Sequence, residues 1–170
     1  MKYLFDNDQQ WRKFKAELLS WRGTPYRHLA HVKGRGADCT QFIAHAMFNV
    51  GLLKSVDYDY YPKDWHINTK REFVLESCEH HIKNNLASGI GAIDLSEDDV
   101  KAPGFLKRGD LVVYSTTAQN VSNHCAIVLD EFDGRCQVTI HSIEHRGVSR
   151  FPLGRTWKRK LTCGFRFTEK

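Results

Sequence analysis

The sequence predicts an α+β fold in which N-terminal helices precede a C-terminal antiparallel sheet of about five or six strands. Three observations predict it: apolar residues recur at helical spacing as far as residue 86, the period shortens to that of strands beyond Pro103 and Gly104, and no βαβ alternation occurs. The 170 residues suffice for one substantial core, so residues 1–170 are read as a single domain.

Trp11, Phe14, Leu18 and Leu19 place one apolar face on a helix over residues 9–21, which Gly23 and Pro25 end. A loop follows to Gly36. Over residues 39–50, Phe42, Ile43, Ala46, Met47 and Val50 share a face, Asp38 supplies an N-cap and Gly51 a stop. Residues 55–62 are a Tyr- and Asp-rich loop. A third helix is expected over 69–86, burying Phe73, Val74, Cys78, Ile82 and Leu86. The stretch from 87 to 101 reads as a surface loop, and residues 111–114, 125–129, 137–141, 148–151 and 163–167 as strands separated by turns such as Asp133-Gly134. Asp110 reads as a turn residue after Gly109.

Composition excludes several function classes. With 41% hydrophobic and 26% charged residues the chain is neither disordered nor fibrous. The net charge is +5, yet the cations are scattered. Only Arg155, Lys158, Arg159 and Lys160 cluster, and they read as a solvated face, so no nucleic-acid partner is expected. Residues 1–10 carry Asp6 and Asp8 and lack the apolar core of an export signal, and no stretch approaches the roughly 18 apolar residues of a membrane span. The expectation is a chain without a signal peptide, cytoplasmic at synthesis. Cys39, Cys78, Cys125, Cys136 and Cys163 form an odd set without a C-x-x-C pair, which fits free thiols in a reducing compartment.

One constellation carries chemistry. Gly34-Arg35-Gly36-Ala37-Asp38-Cys39-Thr40 leads directly into the central helix. A thiol in a first helical turn feels the positive end of the macrodipole, which favours thiolate, and the unpaired N–H groups there can hold an oxyanion. A nucleophilic thiol needs an imidazole to take its proton, and that imidazole needs a partner to fix its tautomer. His124 opens a predicted strand and shares a face with Ala126 and Val128, so it is expected to look toward the helix lying on the sheet. His141 ends the next strand. His145, four residues on, competes with His141 for the orienting role. The other histidines, His28, His31, His45, His66, His80 and His81, read as loop or solvent-facing.

In chain order, Gly23-Thr24-Pro25-Tyr26, Asp38-Cys39-Thr40, Gly51-Leu52-Leu53, Lys107-Arg108-Gly109-Asp110-Leu111-Val112, Asn123-His124-Cys125-Ala126-Ile127-Val128, Ile140-His141-Ser142 and Gly147-Val148 resemble the NlpC-type peptidases, papain-like cysteine enzymes that cut peptidoglycan stem peptides. The resemblance implies a papain-like fold, Cys39 as nucleophile, His124 as base and His141 as the residue orienting it. It also implies that Tyr26 lies near the oxyanion and that Asp38 and Thr40 hold the substrate's amino end. Thr40 stands where serine is more usual, and Asp64-Trp65-His66 with the helix after it replaces a shorter substrate loop. The implied substrate is a peptide or peptidoglycan, with no cofactor, and the missing export signal suggests delivery to the wall by a phage-tail or secretion-system route.

Rival readings stay open: a cysteine amidase or acyltransferase acting on another intracellular amide or ester, and a non-catalytic binding module of the same fold. A zinc site from Cys136, His141, His145 and Cys163 lacks the ligand spacing that would support it, so no metal is expected.

Overall fold

The computed structural model describes residues 1–58, 60–118 and 120–170, with His66 and Asn68 described by backbone alone; the expectation for the His66 side chain lies outside the described residues. Helix α1 (Asp8–Ser20) starts one residue earlier than its apolar period suggests, because Asn7 caps it, accepting from the N–H groups of Gln9 and Gln10 at 3.0 and 3.2 Å. Its buried face is Trp11, Phe14 and Leu18. A short ladder of β1 (His31–Val32) and β2 (Gly36–Ala37) precedes the central helix α2 (Cys39–Asn49). The expected third helix resolves into a turn of helix, α3 (Trp65–Asn68), and α4 (Phe73–Asn84).

The six-stranded sheet has the order β3-β8-β4-β5-β6-β7 and every pairing is antiparallel. Strand β4 (Leu111–Tyr114) matches its expected range, while β5 (His124–Asp133), β6 (Cys136–Ile143), β7 (Gly147–Pro152) and β8 (Leu161–Glu169) extend a few residues further. The stretch read as a surface loop is a correction. It holds edge strand β3 (Ile90–Leu95) and a capped helical turn, α5 (Glu97–Lys101). Gly91 hid the strand from its sequence pattern. Its purpose is close approach, since a Cβ there would lie 2.8 Å from Thr168 Oγ1 on β8.

The two faces of the sheet bury different things. Helices α1, α2 and α4 cover Leu111, Val113, Cys125, Ile127, Leu129, Ile140 and Phe165, which form the main core. On the other face Val112, Tyr114, Ala126, Val128 and Leu161 pack against Leu95, Val100 and Trp157, the last from the short helix α6 (Arg155–Arg159). Asp110 is more than a turn residue. It accepts from the Lys107 N–H at 2.8 Å and also forms a buried bidentate pair with Arg166 at 2.8 and 2.7 Å, tying the start of β4 to β8.

Candidate active site

The sulfur is placed by local backbone structure. Asp38 caps α2: its Oδ1 accepts from the Gln41 N–H at 2.8 Å and the Thr40 hydroxyl at 3.1 Å, and its Oδ2 from the Leu29 N–H at 2.9 Å. Cys39 therefore opens the helix, in the turn whose N–H groups have no intrahelical acceptor. Ser142 of β6 donates to the Ala37 carbonyl at 2.7 Å and joins this turn to the sheet. Nearby, Gly147 has φ +68° and no room for a Cβ against the Thr24 carbonyl. That close approach lets residues 23–24 dock on β7 and presents Tyr26 to the site.

The imidazoles come from neighbouring strands. His124 Nε2 lies 2.6 Å from His141 Nδ1. Because Nε2 is taken, Nδ1 of His124 is the nitrogen left for the thiol; Cys39 and His124 line the same cleft, and His124 is among the groups that hold the Cys39 thiol down. The route is not the expected one. The face that His124 shares with Ala126 and Val128 lies away from α2, where its ring meets Tyr114, His141 and Trp157. His124 reaches the sulfur because it is the first residue of β5, at the rim where the two faces meet.

Electrostatics favour a charged sulfur. The Cys39 thiol is held well below its ordinary range, chiefly by a hydrogen bond from the Cys125 thiol and further by His124, against the opposing effect of burial. Cys125 itself is pushed well up by the same contact. Burial, then the nearby Cys39 charge, pushes Asp38 up to about 6. Burial, then the Cys39 and Asp38 charges, also keeps the Tyr26 phenol protonated and able to donate. His141 is fully buried and held neutral by desolvation and by the charge of His124.

This neutrality fixes a tautomer. If His124 carries a proton on Nε2, His141 Nδ1 accepts and the His141 proton sits on its own Nε2, an atom with no hydrogen-bond partner among the described residues. Phe151 and Trp157 meet this ring edge to face, each at 5.0 Å between centroids, and aromatic faces are weak partners for an N–H.

Cys39 and His124 open on a cleft of about 390 Å³. Tyr26, His28, Tyr61, Lys63, Asp64, Trp65 and Glu144 are among its lining, with His28 bonded to Tyr61 and Lys63 to Glu144 toward one end. Thr116, Thr117, Asn123, Trp157 and Lys160 also line it, with Thr116 bonded to Asn123 and Lys160 over Trp157 toward the other. Of the expected substrate-holding residues, Tyr26 reaches this cleft. Asp38 and Thr40 lie buried behind the wall, bonded to each other, with the Tyr61 hydroxyl 3.5 Å from Asp38 Oδ2. His145 stays in the turn before Gly147, and the ring nitrogen that meets His124 Nε2 belongs to His141.

Sequence reasoning missed several cleft residues. Tyr61 sits in an aperiodic loop, and His28, read as loop or solvent-facing, donates from Nε2 to the Tyr61 carbonyl at 2.7 Å. Lys160, grouped with a solvated basic face, lines the cleft. His81 is also corrected: it is buried, bonded to the Ser77 carbonyl at 2.8 Å and to the Asp57 N–H at 3.1 Å. Among the described residues no three His, Cys, Asp or Glu side chains are placed to hold a metal. Cys136 closes the β5–β6 hairpin, while Cys163 lies in β8 beyond β4 and β5. No helix among them is long and apolar enough to cross a membrane.

The fold is similar to that of solved structures with cell-wall names. One is a lipoprotein-like protein of the NlpC/p60 family from Staphylococcus aureus, with TM-score 0.54 and 18% identity over 96% of this chain and 42% of that one. Another is the NlpC/p60 domain of the peptidoglycan hydrolase SagA, at 0.52 and 16% over 91% and 96%. A third is an N-acetylmuramoyl-L-alanine amidase from Bacteroides uniformis, at 0.50 and 11% over 95% and 99%. This chain thus spans less than half of the first and nearly all of the other two. At such identities the likeness establishes the papain-like α+β fold. No curated protein matches the sequence at a significant level. Residues 5–163 match the family model described as "Putative amidase domain", and the chain belongs to that family.

Proposed function

We propose that the protein is a cysteine hydrolase that cleaves an amide bond in cell-wall peptides, with Cys39 as nucleophile, His124 as general base and acid, and His141 orienting His124. The observation that carries this reading is the meeting of a helix-start sulfur with an imidazole whose second nitrogen is held 2.6 Å from a buried, neutral His141. The amidase family and the cell-wall names of the similar structures support the substrate class.

In the mechanism, the Cys39 thiolate attacks the amide carbonyl and the oxyanion forms against the Cys39 backbone N–H, with the protonated Tyr26 phenol as second donor. His124 then passes its proton to the leaving amine, and it later deprotonates the water that frees the acyl group. His141 accepts the Nε2–H of His124 throughout and holds the ring in plane. Asp38 and Thr40 act on the substrate's amino end through Tyr61, the cleft residue bonded to Asp38.

The test is purified protein on defined muropeptides, products read by mass spectrometry, with Cys39→Ser as control. Cleavage of one stem-peptide amide by the wild type and none by the variant is the expected result. Intact muropeptides together with a Cys39 alkylation profile that follows an ordinary thiol, near pH 8.5, would instead assign a binding module of this fold.

A further inference from the structure

The two ends of the cleft differ in charge. At the Tyr26 end Lys63 Nζ lies 2.6 Å from Glu144, and Asp64 adds a second carboxylate. At the other end, among the described residues, Lys160 is the one Lys, Arg, Asp or Glu side chain lining the cleft, and it pairs with no carboxylate there. Its position is built. Its carbonyl accepts from the Ser115 N–H at 2.8 Å, and its ammonium lies 5.4 Å from the centroid of the Trp157 ring, which in turn lies 5.9 Å from that of His124. Thr117, two residues beyond Ser115 in the chain, also lines the cleft, and its buried Oγ1 has no hydrogen-bond partner among the described residues.

Chemistry says which half of the substrate meets this end. The imidazole that protonates the departing nitrogen must face it, so the leaving group lies along the wall that His124 shares with Asn123, Trp157 and Thr116. An unpaired ammonium and an unused hydroxyl on that wall suit a carboxylate, which accepts from both.

We propose that Lys160, with Thr117, reads a carboxylate on the leaving half of the substrate, so that the favoured substrates are amides whose amine component is an amino acid or peptide acid. The inference rests on the Cys39–His124 reading and adds a selectivity to it. Lys160 here is a specificity residue and takes no part in bond breaking.

Two readouts test it. The first is a pair of peptides differing only in whether the leaving residue ends in a free carboxylate or its carboxamide. The wild type is expected to prefer the acid by roughly tenfold in kcat/KM, about one charge-assisted hydrogen bond. Lys160→Met should abolish that preference by raising KM for the acid while retaining turnover of the amide, and Lys160→Glu should reverse it. The second needs no turnover: the ratio of Cys39 alkylation rates with iodoacetate and with iodoacetamide, the modified peptide identified by mass. Lys160→Met should lower this ratio.

Equal rates on the two peptides, or an alkylation ratio that Lys160→Met leaves unchanged, overturns the proposal. Should neither peptide be cut, the ratio decides alone. Failure of the underlying hydrolase reading looks different: Cys39 then alkylates as an ordinary thiol and Cys39→Ser cleaves as well as the wild type.

Discussion

The walls that meet at Cys39 and His124 are held by different forces. On the sulfur side, directional hydrogen bonds do the work: Asp38 alone accepts from Gln41, Leu29 and Thr40, and Ser142 fastens the preceding carbonyl. On the imidazole side a single 2.6 Å hydrogen bond sits inside a stack of rings, Tyr114, His124, His141, Phe151 and Trp157. Directional bonds fix a position to a few tenths of an ångström. Ring packing fixes an orientation and lets the ring shift in its own plane. The pairing suits a hydrolase, in which the nucleophile must stay placed while the base serves first the sulfur and then the leaving nitrogen.

Perturbations that distinguish the two walls follow, the strongest first. His124→Ala removes the proton carrier, and kcat on a cleaved muropeptide should fall by roughly 10²–10⁴. His141→Ala leaves that carrier in place but unoriented; kcat should drop less, toward the lower end of the same ~10²–10⁴ range, with KM little changed. Equal losses in the two variants would mean that His141 takes part in the proton transfer itself.

The third perturbation reads the sulfur wall through stability. Asp38 titrates at about 6 in the folded chain, mainly through burial and then through the Cys39 charge, against about 3.9 in an unfolded one. A carboxyl raised on folding contributes stability that is fully present below the unfolded value and lost as pH rises through the folded one. Compared with Asp38→Asn, which keeps a capping oxygen, the wild type should lose up to about 3 kcal/mol between pH 4 and 7. Denaturant melts of both proteins at each pH cancel the surface carboxylates, such as Glu131 and Asp130, whose lowered values act at more acidic pH. In a Cys39→Ala background the loss should shrink. A gap that does not move with pH would place Asp38 in an ordinary solvated setting.

The gentlest perturbation is Cys125→Ala. It removes the thiol that hydrogen-bonds to Cys39, so the midpoint of Cys39 alkylation should move up in pH while His124 stays in place. An unmoved midpoint would leave His124 as the main stabiliser of the thiolate.

The same contrast explains what could be read from residues alone. The sulfur wall is local: Asp38, Cys39 and Gly51 lie within fourteen residues, and cap, helix-start thiol and helix stop all follow from short-range rules. Strand β4 was equally legible from its unbroken apolar run. The ring wall joins residues 114, 124, 141, 151 and 157, whose meeting depends on strand order that no local pattern encodes. His124 and His141 were legible from their strand positions and from a family likeness, but the route by which His124 reaches the sulfur was not, because it runs round the rim at a strand's first residue while the face shared with Ala126 and Val128 turns away from α2. Tyr61, His28 and Lys160 were missed for want of any period around them, and β3 because it pairs with residues 164–169 across a long loop.

Strand β8 lies between β3 and β4, although among the described residues it is the last strand in chain order. During translation the sheet therefore keeps an open seam until residues 161–169 have left the ribosome. Trp157 and Lys160, two of the residues that line the cleft, immediately precede that strand. A half-made chain can form the helix that carries Cys39, yet the cleft over that sulfur still lacks the last of its lining residues.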